Sequence, residues 1–247
     1  MKTMKHYALF MIVCVLICAC EENEPNVPQT ATIRIINAIQ DVGTIDLRGF
    51  EGSISFFGTN TINYGSSFRF TLPANTPAGL TITPATDTLN IITEETLMLE
   101  QVGGIYSLFL LGDSSQAETF MIEDEFINYQ DSIYGVRFIN LSEDSGPVNV
   151  RNIALDSAGV RDTTLVKSEI DFRSFTTFSQ YVADSRIENH TFQFLDESGN
   201  VLASTTVPRF FFFAPPYFKN LTIGLIGRAD DGQGGNNLSI VEIEHFE

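Results

Sequence analysis

Residues 32–48 align without a gap onto residues 135–151, an offset of 103 positions with six identities in 17. The identities are Arg34/Arg137, Ile36/Ile139, Asn37/Asn140, Asp41/Asp144, Gly43/Gly146 and Arg48/Arg151, and Ile33/Val136, Ile35/Phe138, Ile45/Val148 and Leu47/Val150 keep apolar character. A repeat of this length has the size of a β-sandwich domain; solenoid repeats are only about 20–50 residues long. The 247-residue chain therefore reads as two tandem domains. Their ends correspond as well. An apolar run stops at a glycine in residues 106–112 and again in 221–227, each time followed by a polar loop and a last strand.

Period-2 alternation is plain in Ser67-Phe68-Arg69-Phe70-Thr71-Leu72, Thr191-Phe192-Gln193-Phe194 and Leu221-Thr222-Ile223-Gly224-Leu225, so these segments predict strands with one buried face. Asp196-Glu197-Ser198-Gly199-Asn200 predicts a hairpin loop between two such strands. A helical stripe is missing after the first 20 residues, although residues 173–183 could hold a short helical turn. The predicted class is all-β, as two tandem β-sandwiches. The expected divisions are 1–19 signal peptide, 20–30 tether, 31–127 first domain, 128–133 linker and 134–247 second domain.

Residues 1–20 read as an export signal, with Lys2 and Lys5 before an apolar stretch of 11 residues, 7–17. That stretch is too short for a transmembrane helix, which needs about 20 apolar residues. Leu16-Ile17-Cys18-Ala19-Cys20 resembles the bacterial lipobox, which implies lipidation at Cys20, and Glu21-Glu22-Asn23-Glu24 resembles the acidic export tag of Bacteroidetes surface lipoproteins. An ordinary cleaved signal and a solvated tether are the plain alternatives. The expected location is the outer membrane, lipid-anchored and facing the exterior.

The openings Ile33-Arg34-Ile35-Ile36-Asn37-Ala38 with Asp41, and Val136-Arg137-Phe138-Ile139-Asn140-Leu141 with Asp144, resemble the start of the bacterial domain-of-unknown-function 4397 family. The resemblance implies immunoglobulin-like sandwiches at the cell envelope and brings no catalytic residues. Read from the residues alone, Arg34 and Arg137 are strand residues paired with an acid, and Asn37, Asn140, Asp41 and Asp144 close turns through side-chain to backbone hydrogen bonds.

Composition narrows the chemistry. With 14 Lys and Arg against 31 Asp and Glu the net charge is −17, which opposes nucleic-acid backbones. After loss of residues 1–19, 12 basic residues face 31 acids, a charge of −19. All three cysteines lie in the first 20 residues, and His190 and His245 are the only later histidines, so zinc and thiol chemistry have little material. Gly112-Asp113-Ser114 with Glu242 and His245 superficially matches a serine-esterase layout, but that chemistry needs a strand-to-helix turn; a hairpin loop is the simpler reading. Glu94 with Glu95, and Glu123-Asp124-Glu125, read as solvated surface.

Asp230, Asp231 and Asn236 form a weak calcium candidate in a glycine-rich loop. Phe210, Phe211, Phe212 and Phe213, with Tyr217 and Phe218, are either a binding patch or packing against the first domain. Asp87-Thr88-Leu89, Asp131-Ser132-Ile133, Asp156-Ser157-Ala158 and Asp162-Thr163-Thr164 resemble Bacteroidetes O-glycan sites. No cofactor is called for. The expected function is a non-enzymatic envelope lipoprotein in adhesion, assembly or ligand capture, with an envelope protein or a glycan as partner. The alternative is a carbohydrate- or peptide-binding accessory protein of an outer-membrane uptake system, and a hydrolase comes third.

Overall fold

Strand pairing repeats along with the sequence. The computed structural model describes residues 29–49, 60–129, 133–156, 158–182, 187–208, 220–230 and 236–245, and these carry strands and no helix. The first half holds β1 (Thr30–Asn37), β2 (Thr44–Arg48), β3 (Thr61–Asn63), β4 (Ser67–Pro73), β5 (Ala78–Pro84), β6 (Thr93–Leu97), β7 (Ile105–Leu111) and β8 (Glu118–Glu123). The second holds β9 (Ile133–Asn140), β10 (Val148–Asp156), β11 (Arg161–Ile170), β12 (Ser179–Val182), β13 (Ile187–Leu195), β14 (Val201–Pro208), β15 (Asn220–Ile226) and β16 (Ser239–His245).

Each half is a sandwich of two four-stranded sheets. The orders are β4-β1-β7-β8 over β3-β2-β5-β6, and β12-β9-β15-β16 over β11-β10-β13-β14. Adding eight to each label of the first half produces the second, so the halves share one topology. The first strand runs parallel to the seventh in both, Asn37 beside Leu110 and Asn140 beside Leu225. Ile33, Ile35, Leu108 and Leu110 enter the first core, and Val136, Phe138, Ile223 and Leu225 the second. The described part of the segment 173–183, residues 173–182, carries no helical turn: it follows a turn at Phe172 and Arg173 and holds a bridge from Phe175 to Ile139, and β12.

The seventh strands are buried on both faces, and the reason is a third core. Alternate residues of β1, β7 and β8 point away from the first sandwich, and the corresponding residues of β9, β15 and β16 point away from the second. There Ile36, Ala38, Phe109, Leu111 and Ile122 meet Ile139, Leu141, Ile226, Val241 and Ile243. Each of these side chains other than Ala38 contributes about 1.5–3 kcal/mol on full burial, before ordering costs. Ile36 matches Ile139 in the repeat, and Leu111 matches Ile226 by strand register, so the contact is isologous like that of a two-fold dimer. The expected linker, 128–133, is partly taken into the fold: Tyr129 is buried against Gly135, and Ile133 opens β9.

Two glycine positions answer to this geometry. Where β7 and β15 end, Gly112 and Gly227 turn left-handed at φ +86° and +99°, and a Cβ would lie 2.5 Å and 2.4 Å from the Gln116 and Asn237 carbonyl oxygens. Gly224 occupies the register position of Phe109, and a Cβ there would meet Val241 Cγ1 at 2.9 Å and Ile139 Cγ2 at 3.0 Å. Gly224→Ala is therefore expected to cost about 1–3 kcal/mol through overpacking. Urea unfolding checks this; an unchanged midpoint would mean that the interface yields freely.

Candidate functional site

The residues shared by the repeat serve the framework. Asn37 Nδ2 donates to the Ile62 carbonyl at 3.1 Å and its Oδ1 accepts from the Ile39 amide at 3.1 Å. Asn140 does the same with Ile170 and Ser142, also at 3.1 Å. Asp41 accepts from the Ser114 amide and hydroxyl at 2.7 and 2.5 Å, and Asp144 from the Ala229 and Asp230 amides at 2.8 and 3.1 Å. Each aspartate thus ties the first interstrand loop to the last one. Burial raises the Asp144 carboxyl, but those amides and the Ser142 hydroxyl outweigh it and hold the group below the usual carboxylate range.

Arg34 and Arg137 of the repeat reach across between domains. Arg137 pairs with Asp124, its Nε donates to Thr222 Oγ1 at 2.9 Å, and its guanidinium lies 4.9 Å from the Phe178 ring centroid. Asp124 also accepts from Ser107 Oγ at 2.6 Å. Arg34 donates to the Glu244 carbonyl at 2.9 Å and to Ser67 Oγ at 3.1 Å. Among the described residues, Arg137 takes an acid side chain as its hydrogen-bonded partner, whereas Arg34 takes a backbone carbonyl and a serine hydroxyl.

His245 closes the network. Its Nε2 lies 2.8 Å from Thr222 Oγ1 and its Nδ1 lies 3.6 Å from Asp124. Burial chiefly, with Arg137 and Arg34 adding to it and Asp124 opposing it, pushes the ring's pKa down to about 4. The imidazole is consequently neutral at pH 7, and Arg137 with Asp124 is the charged pair. Ser107 and Thr222, and likewise Asp124 and His245, hold equivalent register positions in the two halves. The expectation that Asp124 lies on a solvated surface is corrected: the side chain is buried, because the second domain covers that face.

At the opposite end of the interface, the loops of both domains converge. Arg228 approaches Asp113 at 3.5 Å and Arg173 pairs with Glu118. Gln40, Asp41, Asp113, Ser115, Arg228 and Asn237 line a cleft of about 360 Å³ there. Hydrogen bonds from the Ser115 hydroxyl and amide, more than the nearby Arg228, hold Asp113 below the usual carboxylate range.

Ser114 and His245 do not meet. Ser114 lies in the β7–β8 hairpin loop, while His245 meets Asp124, which follows β8 beside the start of β7. The length of β7, roughly 20 Å at about 3.3 Å per residue, separates them. The Ser114 hydroxyl donates to Asp41, and Thr222, absent from the esterase layout, holds His245. Of the calcium candidates, the Asp230 amide donates to Asp144 and Asn236 is exposed, and among the described residues no three His, Cys, Asp or Glu gather as a metal group. Asp231, Cys20 and the aromatic residues 210–213, 217 and 218 lie outside the described residues. Sequence reading missed Thr222 as a partner of Arg137, and Ser107 and His245 as partners of Asp124. A usable signal was the matching Arg34 and Arg137 beside strands apolar on both faces.

No protein-family model and no curated protein matches the chain. Among solved structures, family 41 carbohydrate-binding modules from streptococcal virulence factors, described as recognising alpha-glucan, are similar at 10% identity over 85% of this chain and 96% of theirs, with TM-score 0.27. A family CBM26 module of Eubacterium rectale Amy13K, solved with maltoheptaose, is similar at 12% identity over 88% and 98%, TM-score 0.27. A protein described as an adhesin from Bacteroides ovatus is similar at 12% identity over 88% and 94%, TM-score 0.26. At these values the likenesses add nothing on function to what the strand pairing shows.

Proposed function

We propose that this chain is a lipid-anchored envelope protein, held at Cys20, whose two sandwiches form one rigid, non-catalytic unit for adhesion, assembly or ligand capture. The observation that carries this is the shared apolar core of ten buried residues, five from each domain, closed by the Arg137–Asp124 pair. Domains in one chain move by default unless their contact is large and hydrophobic. Here the contact is apolar at its centre and isologous, so the pair acts as one body. Asn37, Asn140, Asp41, Asp144, Arg34 and Arg137 of the repeat hold loops and domains together, leaving the loop surface to meet a partner. The resemblance of both openings to the domain-of-unknown-function 4397 family belongs to the same reading.

Direction follows from the anchor. The Ala74 amide holds the Gln29 carbonyl at 2.9 Å, so the tether joins the end of the fold where β1 begins and β16 finishes. Gln29 is nine residues after Cys20, a span of about 30 Å at most. That end faces the membrane, and the converging loops of both domains face away from it. The acidic body is repelled by anionic lipid, which favours the same stance.

Metabolic labelling with a fatty-acid analogue tests the anchor. The wild-type chain is expected to carry label and fractionate with membranes, and Cys20→Ala to lose both. A wild-type chain without label would sink the proposal.

A further inference from the structure

We propose that the cleft where the two domains' loops converge binds a neutral, polyhydroxylated ligand, the end of a glycan chain. This deepens the function proposed above and rests on it for its direction, the cleft lying at the end of the fold away from the tether. At about 360 Å³ its volume falls within the usual range of small-molecule sites, about 300–1,000 Å³.

Its walls are held in place before any ligand arrives. Asp113 accepts from the Ser115 amide at 2.9 Å, the Ser115 hydroxyl at 2.6 Å and the Gln116 amide at 3.1 Å. Asn237 accepts from the Arg228 amide at 2.5 Å through its side chain, and its own amide donates to the Arg228 carbonyl at 3.1 Å. The Gln40 amide donates to the Gly112 carbonyl at 3.0 Å, which sets Gln40 beside the hairpin loop. Two carboxylates, two side-chain amides and a guanidinium thus line one cleft. Neighbouring hydroxyls of a sugar can donate to the first while accepting from the others. Fixed partners reduce the ordering cost of binding.

Charge and shape narrow the class. Two carboxylates against one guanidinium leave the lining net negative on a chain of charge −17, which disfavours phosphate, sulfate or uronate groups. The polar lining disfavours an acyl chain. A smaller cavity of about 60 Å³ adjoins through Gln40, Asp113 and Arg228 and is walled by Phe172, whose ring packs against the shared core and lies 4.9 Å from the Arg173 guanidinium.

The repeat adds an independent observation. Of the cleft residues, Asp41 is retained as Asp144, whereas Gln40 has Glu143 as its repeat counterpart and Asp113 has Arg228, so the two halves present different groups to the cleft.

Saturation-transfer NMR and calorimetry on the intact chain in detergent, with malto-, cello-, manno- and xylohexaose and a sulfated heparin hexasaccharide, test this. At least one neutral hexaose is expected to bind and the heparin fragment not to. Gln40→Ala and Asp113→Asn should each weaken binding by about tenfold, the worth of one hydrogen bond to a well-placed group, and Gln40→Ala should do so with thermal stability unchanged. Absence of binding by every neutral hexaose at millimolar concentration overturns the proposal, as does binding that survives both variants or prefers heparin. Failure here with Cys20 still lipidated leaves the anchor standing; loss of the lipid label with glycan binding intact does the reverse.

Discussion

Asp124→Ala is expected to lower the unfolding free energy by about 3–5 kcal/mol, because it strands the Arg137 guanidinium in a closed interface. The arginine side chain is 4% exposed and the aspartate 2%, so water cannot replace the lost partner. Ser107 Oγ loses its acceptor at the same time. Because the two domains share an apolar core, the loss should shift one cooperative transition for the whole chain. Urea unfolding followed by both fluorescence and circular dichroism measures it. The companion variant Asp124→Leu with Arg137→Met removes both charges and is expected to recover most of the loss. A single-site cost below about 1 kcal/mol, the range of exposed ion pairs, would show that the interface admits water.

Acidification is expected to weaken the fold through His245. The ring's pKa is about 4 in the folded protein against an ordinary 6.5, so above pH 6.5 both states are neutral and nothing is lost. Between pH 6.5 and 4 the unfolded chain takes up a proton that the folded chain refuses, and stability falls as pH falls. The slope is about 1.4 kcal/mol per pH unit, a total of about 3 kcal/mol across the window. Burial dominates; Arg137 and Arg34 reinforce it and Asp124 opposes it. His190 is lowered by its own burial and adds in the same direction, so the comparison must isolate one ring. His245→Gln retains a side chain able to pair with Thr222 and does not titrate. Its stability-against-pH curve should run flatter than the wild type between pH 6.5 and 4. Parallel curves would mean that His245 is hydrated and unshifted.

Much of the framework was legible in the residues. The gapless repeat announced two like domains, and the shared Asn37/Asn140 and Asp41/Asp144 were readable as turn-closing groups, because asparagine and aspartate at strand ends bond nearby amides. The Asp196–Asn200 hairpin carried its own turn chemistry. Asp124 was not legible. It lies in the run Glu123-Asp124-Glu125, which locally has every mark of solvated surface, and its burial depends on a strand-end residue more than 100 positions away.

The sequence by itself determined the all-β class, the duplication and the loop-closing residues, since strand alternation and turn bonding are set by near neighbours along the chain. Only the tertiary structure decided that both domains turn a second apolar face toward each other. That contact buries Arg137 with Asp124 and His245, and brings Asp113 beside Arg228 at the loop end. Alternation shows that a strand has two faces; what covers the outer one depends on contacts between residues far apart in the chain, and no local pattern encodes them.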